Sequence, residues 1–250
     1  MIVFDAHFHI IDYRYKLLPN NGYTPPEFTV DQYRSSTEEL DIRGGTIVSG
    51  SFQAFDQQYL LDALDTLGSS SYGVANIPHT ISDQKIAALY ESNIVAVRFN
   101  LKRGGSETLE HLDYLSNKLY EEFGWHTELY VDSSDLPDLR KALSKLKDFS
   151  IDHLGLSKAG QKELLHWVDK GARVKATGFG RLDFDPISFM QDIMTINPEA
   201  LMFGTDLPST RSKTPFSMDD IRLIQEHFDE DDQLKICYQN AFNWYSRKRN

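Results

Sequence analysis

The chain has 250 residues, 40% of them hydrophobic and 25% charged, which is enough for one large core and within the range of a single domain. Its net charge is −11, from 37 acids against 26 bases, so it lacks the basic surface that nucleic acid or anionic lipid demands. The single cysteine, Cys237, rules out an internal disulfide, no apolar run reaches membrane-spanning length, and a strand starting at Ile2 leaves no room for a signal peptide; a soluble, cytoplasmic protein is expected.

The first expected strand covers 2–9 (IVFDAHFH), and strict alternation puts Asp5, His7 and His9 on one face and Phe4, Ala6 and Phe8 on the other. The stretch from Asp12 to Thr37, with Pro19, Pro25 and Pro26, is too long for an ordinary connection; a lid over a site and a passive excursion both stand open. Further strands are expected at 46–52, 72–77, 94–101, 126–131, 149–154, 172–178 and 200–206, separated by stretches of helical period. In 107–123, for example, Leu109, Leu112, Leu115 and Leu119 share one helical face. Pro78, Pro137, Pro208 and the Gly104-Gly105 pair follow strands, and Asp135 and Asp185 stand where helix N-caps belong. The run Asp229 to Asp232 reads as the solvated start of the last helix, and Arg247 to Arg249 as a loose basic tail. Strand and helix alternating eight times implies an α/β fold, a (β/α)8 TIM barrel spanning 1–250 as one domain, with an open doubly wound sheet as its rival.

Chemistry in such barrels sits at the C-terminal ends of the strands. His7 and His9 fall there on strand 1, Ser51 on strand 2, Arg98 and Asn100 on strand 4, Tyr130 on strand 5, His153 on strand 6 and Asp206 on strand 8, with Arg181 just beyond strand 7. Asp5 either orients a histidine or lies lower in the barrel as structure. His111, His166 and His227 fall on helices and are assigned to the surface; His126 begins its strand and is assigned a structural role. His79, at the catalytic end, stays unassigned, and Trp125, Trp167 and Trp244 read as packing residues.

The D-A-H-F-H of strand 1, I-D-H-L-G of strand 6 and M-F-G-T-D-L-P of strand 8 resemble the amidohydrolase superfamily, in its amidohydrolase 2 branch. The segments 49–64 (SGSFQAFDQQYLLDAL), 97–103 (VRFNLKR), 127–130 (TELY) and 178–181 (GFGR) resemble the 2-pyrone-4,6-dicarboxylate lactonase group, so the likeness runs from residue 3 to about Tyr245. It implies that His7, His9, His153 and Asp206 occupy metal and catalytic positions, and that Ser51, Arg98, Tyr130 and Arg181 hold a dicarboxylate. Arg103 falls one residue short of another such arginine, and loop 8 reads P-S-T-R where relatives often carry a histidine after the proline.

By residue type, His7, His9, His153 and Asp206 could hold a single Zn²⁺ or Mn²⁺. A binuclear centre is disfavoured, because strand 4 has Arg98 and Asn100 in place of a bridging lysine or glutamate, and strand 5 ends in Tyr130 in place of a histidine. The expectation is therefore no required cofactor, or one divalent ion. Without metal, Asp206 serves as general base on a water, the three histidines polarise the carbonyl, and Arg98 and Arg181, with Arg103 or Arg211, clasp a small anionic acid. The leading expectation is a lactone hydrolase. The alternatives are a mononuclear metal-dependent decarboxylase and a non-catalytic barrel that binds a sugar acid or lactone. Oligomeric state is open, a homo-oligomer included.

Overall fold

The computed structural model describes residues 1–247. Its strands are β1 (Ile2–Phe8), β2 (Asp41–Val48), β3 (Ser71–Ala75), β4 (Ile94–Asn100), β5 (His126–Tyr130), β6 (Phe149–Ile151), β7 (Arg173–Ala176) and β8 (Leu201–Phe203). Each pairs in parallel with the next, in the order β1 to β8. Past β8 the chain returns to β1: Asp206 N donates to His7 O and His9 N to Leu207 O, both at 2.7 Å. These bonds join the two edges at the C-terminal end, giving the expected (β/α)8 barrel.

The principal helices between strands are α1 (Val30–Ser36), α2 (Gln58–Leu67), α3 (Asp83–Glu91), α4 (Leu112–Phe123), α5 (Leu136–Leu143), α6 (Gln161–Asp169) and α7 (Pro186–Ile196), with α8 (Met218–His227), α9 (Glu230–Leu234) and α10 (Asn240–Tyr245) after β8. Helices α2 to α8 each bury apolar residues, as α2 does with Tyr59, Leu60, Ala63 and Leu64, whereas α9 buries none. Strand alternation sorts the core in two. On β4, Val97 and Phe99 face the helices while Ala96 joins an inner cluster with Phe4, Ala6, Val48, Val74 and Met202. Trp244 and Tyr245 of α10 fill that inner cluster, and Tyr245 stacks on Phe4 at 5.6 Å between centroids. Trp125 and Trp167 are buried in the outer core.

Several boundaries differ from expectation for identifiable reasons. β2 begins five residues early, because its first half carries exposed Asp41 and Arg43 and two glycines and so shows no apolar run. Both glycines are packed against β1: a Cβ at Gly44 would lie 2.9 Å from the Phe4 ring and one at Gly45 3.0 Å from Phe8. Ser51 consequently sits in the turn after β2, not at its end. The stretch 12–37 is not all loop, since α1 lies within it behind a capping box of Thr29 and Gln32. Leu109 is exposed in a 3₁₀ turn before α4, so the buried stripe is Leu112, Leu115 and Leu119. Asp185 accepts from Ile187 N as an N-cap, whereas Asp135 makes no cap bond; Asp132 caps the preceding turn. Asp229 caps α9 as a solvated start. Arg247 is not loose, because it lies 4.0 Å over the Trp244 ring; Lys248 and Arg249 fall outside the described residues. Among the described residues no helix is long and apolar enough to cross a membrane.

Candidate active site

At the C-terminal end of the barrel lies a cleft lined by His9, Ser51, Arg98, Arg103, Tyr130, His153, Arg181, Asp206 and Arg211, together with Gly50, Phe52, Asn100 and Thr210. Nine of the ten candidate site residues thus meet at one place. The tenth, His7, is buried directly beneath, its ring centroid 5.1 Å from that of His9 and 4.9 Å from that of His153.

β1 does not keep the expected alternation. Its register with β2 slips between Asp5 and Phe8, where three steps on β1 oppose two on β2. This bulge separates Asp5 from the histidines. Asp5 turns to the Phe8 side, where its carboxylate accepts from Tyr33 Oη, from Thr205 N and Oγ1, and from His7 N. Burial pushes its pKa up to about 6 despite those bonds. Asp5 therefore fastens the β8 turn to β1 and does not enter the cleft.

The turns after β6 and β8 present the other two groups. His153 and Leu154 have φ of 52° and 48°, and Asp206 has φ of 58°, left-handed conformations that end the strands early and swing the side chains over the barrel mouth. Asp206 Oδ2 accepts from Arg181 Nε at 2.6 Å, and Arg181 Nη2 continues to Thr210 O. Asp206 Oδ1 makes no hydrogen bond and lies 3.9 Å from both His7 Nε2 and His9 Nε2.

Hydrogen bonding assigns the imidazoles. His9 Nδ1 is 2.7 Å from the Val48 carbonyl, which can only accept, so Nδ1 carries the proton and Nε2 offers a lone pair. His7 Nδ1 lies 3.4 Å from Lys175 Nζ, which can only donate, and 3.5 Å from Asp152 Oδ1, which can only accept; the lysine contact favours the His7 proton on Nε2, facing Asp206, and the aspartate contact favours it on Nδ1. His153 Nδ1 meets Thr177 Oγ1 at 2.7 Å. Burial holds all three histidines below their ordinary pKa, His9 and His153 far below, so all are neutral at pH 7.

Arginines supply the positive rim. Arg98 donates from Nη1 to Ser49 O and from Nη2 to Asp152, which commits much of its fork inside the barrel. Arg103 reaches Tyr130 Oη at 3.3 Å, and Arg211 lies 4.4 Å over the Tyr23 ring. The long excursion after β1 covers the mouth here: Asn20 Nδ2 donates to Arg103 O, and Arg211 Nη2 donates to Asn20 O.

Beneath the cleft lies a network that sequence reasoning missed. Lys175 of β7, fully buried, donates to Glu128 of β5 at 2.5 Å and stands 3.7 Å from Asp152. Tyr245 Oη donates to the other Glu128 oxygen, and His126 Nε2 is 3.3 Å from it. Burial alone would raise Asp152, but His7, Arg98 and Lys175 hold it well below the usual carboxylate range. Of the remaining histidines, His166 and His227 lie on α6 and α8, while His79 and His111 stack together at the barrel rim, outside the cleft.

The donor set also suits a single divalent ion: nitrogens of His7 and His153 and an Asp206 oxygen lie within 4.8 Å of one another, and His7 Nε2 and Asp206 Oδ1 have no hydrogen-bond partner among the described residues. An ion on His7 Nε2 would require the His7 proton on Nδ1, toward Asp152 Oδ1 at 3.5 Å.

A closed parallel barrel with histidines and an aspartate converging at its C-terminal mouth defines a hydrolase-type site of the amidohydrolase class. The amidohydrolase family profile matches residues 4–247, and the chain belongs to that family. It is similar to the 2-pyrone-4,6-dicarboxylate hydrolase of Comamonas testosteroni, 27% identical with 84% of this chain and 77% of the relative covered. It is also similar to the 4-sulfomuconolactone hydrolase of Hydrogenophaga intermedia, 23% identical over 82% of this chain and 74% of the relative. In fold it matches the crystal structure of a probable 2-pyrone-4,6-dicarboxylic acid hydrolase from Acinetobacter baumannii, solved with citric acid bound, at a TM-score of 0.84 and 24% identity over 99% of this chain and all of that one. The chain is a hydrolase.

Proposed function

We propose that the protein hydrolyses a lactone, or a related cyclic carbonyl ester, of a small anionic ring-shaped acid. The observation that carries this reading is the pair of acceptors, Asp206 Oδ1 and His9 Nε2, 3.9 Å apart in a cleft walled by arginines. Two acceptors at that spacing are bridged by a molecule with two protons to give, and water is such a molecule. Asp206 takes one proton as the water oxygen attacks the lactone carbonyl. His7, in the Nε2–H form that the Lys175 contact favours, stabilises the oxyanion together with His153 in the form that accepts from the Thr177 hydroxyl at Nδ1 and carries its proton on Nε2. The ring C–O bond then breaks, and the proton on Asp206 passes to the leaving oxygen, giving one new carboxylic acid and one hydroxyl. His9 orients the water and does not bind the oxyanion.

Arg103, Arg211, Ser51 and Tyr130 engage the substrate's acid groups, with the exposed edge of Arg98. Arg181 serves Asp206 first, keeping Oδ2 occupied and Oδ1 aimed at the water. The two curated relatives are named as hydrolases of a pyrone dicarboxylate and a sulfomuconolactone, both cyclic esters bearing acid groups, which supports the class. A single Zn²⁺ or Mn²⁺ on His7, His9, His153 and Asp206 would supply Lewis-acid polarisation of the carbonyl. The reading extends to a cytoplasmic, single-domain enzyme acting on a small-molecule substrate. Asp206→Asn tests it: turnover falls by about 10²- to 10⁴-fold while ligand binding is kept. Near-normal turnover removes Asp206 from the role of base.

A further inference from the structure

A second cluster of metal-ligating side chains lies at the barrel rim and lines no part of the cleft. His79 follows β3, Glu107 belongs to the loop after β4, and His111 ends the 3₁₀ turn before α4. We propose that His79, Glu107 and His111 bind one divalent transition-metal ion of the zinc type. One donor atom from each lies within 4.8 Å of the other two. Two imidazoles and a carboxylate with an open fourth position form a common three-ligand zinc set.

The carboxylate is held ready for a cation. Glu107 Oε2 accepts from His79 N at 2.7 Å and from His79 Nδ1 at 2.8 Å, while Oε1 accepts from Thr108 N at 2.7 Å. These three bonds orient the carboxylate, and among the described residues no lysine or arginine forms an ion pair with it; its ion-pair partner there is His79.

The imidazoles complete the arrangement. The rings of His79 and His111 stack with centroids 3.5 Å apart and planes 21° from parallel. A ring nitrogen's lone pair lies in the ring plane, so the His111 ring must turn out of the stack for one ion to be shared by both nitrogens and the carboxylate. The ion takes the place of the proton between His79 Nδ1 and Glu107 Oε2, which separate from 2.8 Å to the roughly 3.3 Å spacing of ligands around a tetrahedral ion, and that proton leaves to solvent. Half-exposed His79 and His111 can make this adjustment without moving the core.

The ion would tie the β3–α3 connection to the loop carrying Arg103. That loop already folds on itself: Asn100 N donates to Ser106 Oγ at 2.7 Å and Arg103 N to Asn100 Oδ1 at 2.9 Å. Metal at Glu107 would add to the tie that already joins this end of the loop to His79 N.

This inference is independent of lactone hydrolysis and is tested by binding. The full chain carrying His9→Gln and Asp206→Asn, which disable the cleft as a metal site, is titrated with Co²⁺ alone and followed by its visible ligand-field spectrum, with Zn²⁺ as competitor. One equivalent binds, Zn²⁺ displaces it, and His79→Gln and His111→Ala each weaken binding at least tenfold. His111→Ala leaves every hydrogen bond of Glu107 in place, so it decides the matter if His79→Gln fails to fold. Hydrogen exchange of residues 101–108 slows severalfold with metal bound. Absence of binding at millimolar Co²⁺, or binding unchanged by His111→Ala, overturns the site and leaves the cluster as a hydrogen-bonded anchor of the loop.

Discussion

Replacing Lys175 with methionine removes a fully buried ammonium and leaves two buried carboxylates behind. Glu128 keeps Tyr245 and His126 as partners, and Asp152 keeps Arg98, but both lose the cation between them. Removing one member of a buried ion pair costs about 3 to 5 kcal/mol. For a chain of this size each kcal/mol shifts the melting temperature by about 2 to 4 °C, so Lys175→Met melts roughly 6 to 20 °C lower. The double variant Lys175→Met, Glu128→Gln recovers much of that loss, because the uncompensated charge is gone. Function changes too. Without the ammonium at Nδ1, His7 is free to carry its proton there, donating to Asp152 Oδ1, and to turn a lone pair to the cleft, losing an oxyanion donor. Turnover then falls by about 10²-fold, the lower end for such a donor. Thermal melts and ¹⁵N NMR of the His7 ring read the two effects separately. An unchanged melting temperature, with His7 still protonated on Nε2 in the variant, would refute the reasoning.

Arg103→Ala and Arg211→Ala each raise KM by about 10- to 100-fold with smaller changes in kcat, since each loses a charge-assisted hydrogen bond of roughly 1.5 to 3 kcal/mol; steady-state kinetics with an anionic lactone checks this, and a neutral lactone shows little effect. Asn20→Ala frees the loop that bridges Arg103 and Arg211, so hydrogen exchange over residues 19–24 speeds up while the melting temperature stays within about 2 °C. Acid weakens the fold through His126, which burial brings from 6.5 down to about 4: the unfolded state takes the proton first, so this stability is full above pH 6.5 and lost as pH falls toward 4, by about 3 kcal/mol. Asp5, raised from 3.8 to about 6, works in the opposite sense between those values, and denaturant melts of His126→Phe and the parent chain across that range isolate the histidine.

The barrel and the positions lining its mouth were legible because period-two strands alternating with amphipathic helices have few folded solutions, and because parallel barrels gather polar strand ends at one face. His9, Arg98, Tyr130, His153 and Asp206 could be placed by that rule alone. The β1 bulge could not: D-A-H-F-H reads as even alternation, and only the register with β2 shows Asp5 turned away. Lys175 was equally hidden. A lysine on a short strand looks the same in sequence whether it faces water or the barrel axis, and its partner Glu128 is 47 residues away. The pairing of Arg181 with Asp206 was hidden for the same reason: an arginine expected to clasp substrate also donates to that carboxylate. A legible signal was passed over in Thr29-x-x-Gln32, the capping box that marks α1 inside the long excursion.

The central claim is that water, activated at Asp206, opens an anionic lactone. Incubation of the purified protein with a panel of lactones bearing one or two acid groups, in ¹⁸O-labelled water, tests it most directly when products are read by NMR and mass spectrometry. The account predicts a ring-opened acid carrying one ¹⁸O in its new carboxylate, no carbon dioxide, and product formation by Asp206→Asn slowed by about 10²-fold or more. Release of carbon dioxide that stops on chelation, or a panel bound but left unconsumed, would contradict it.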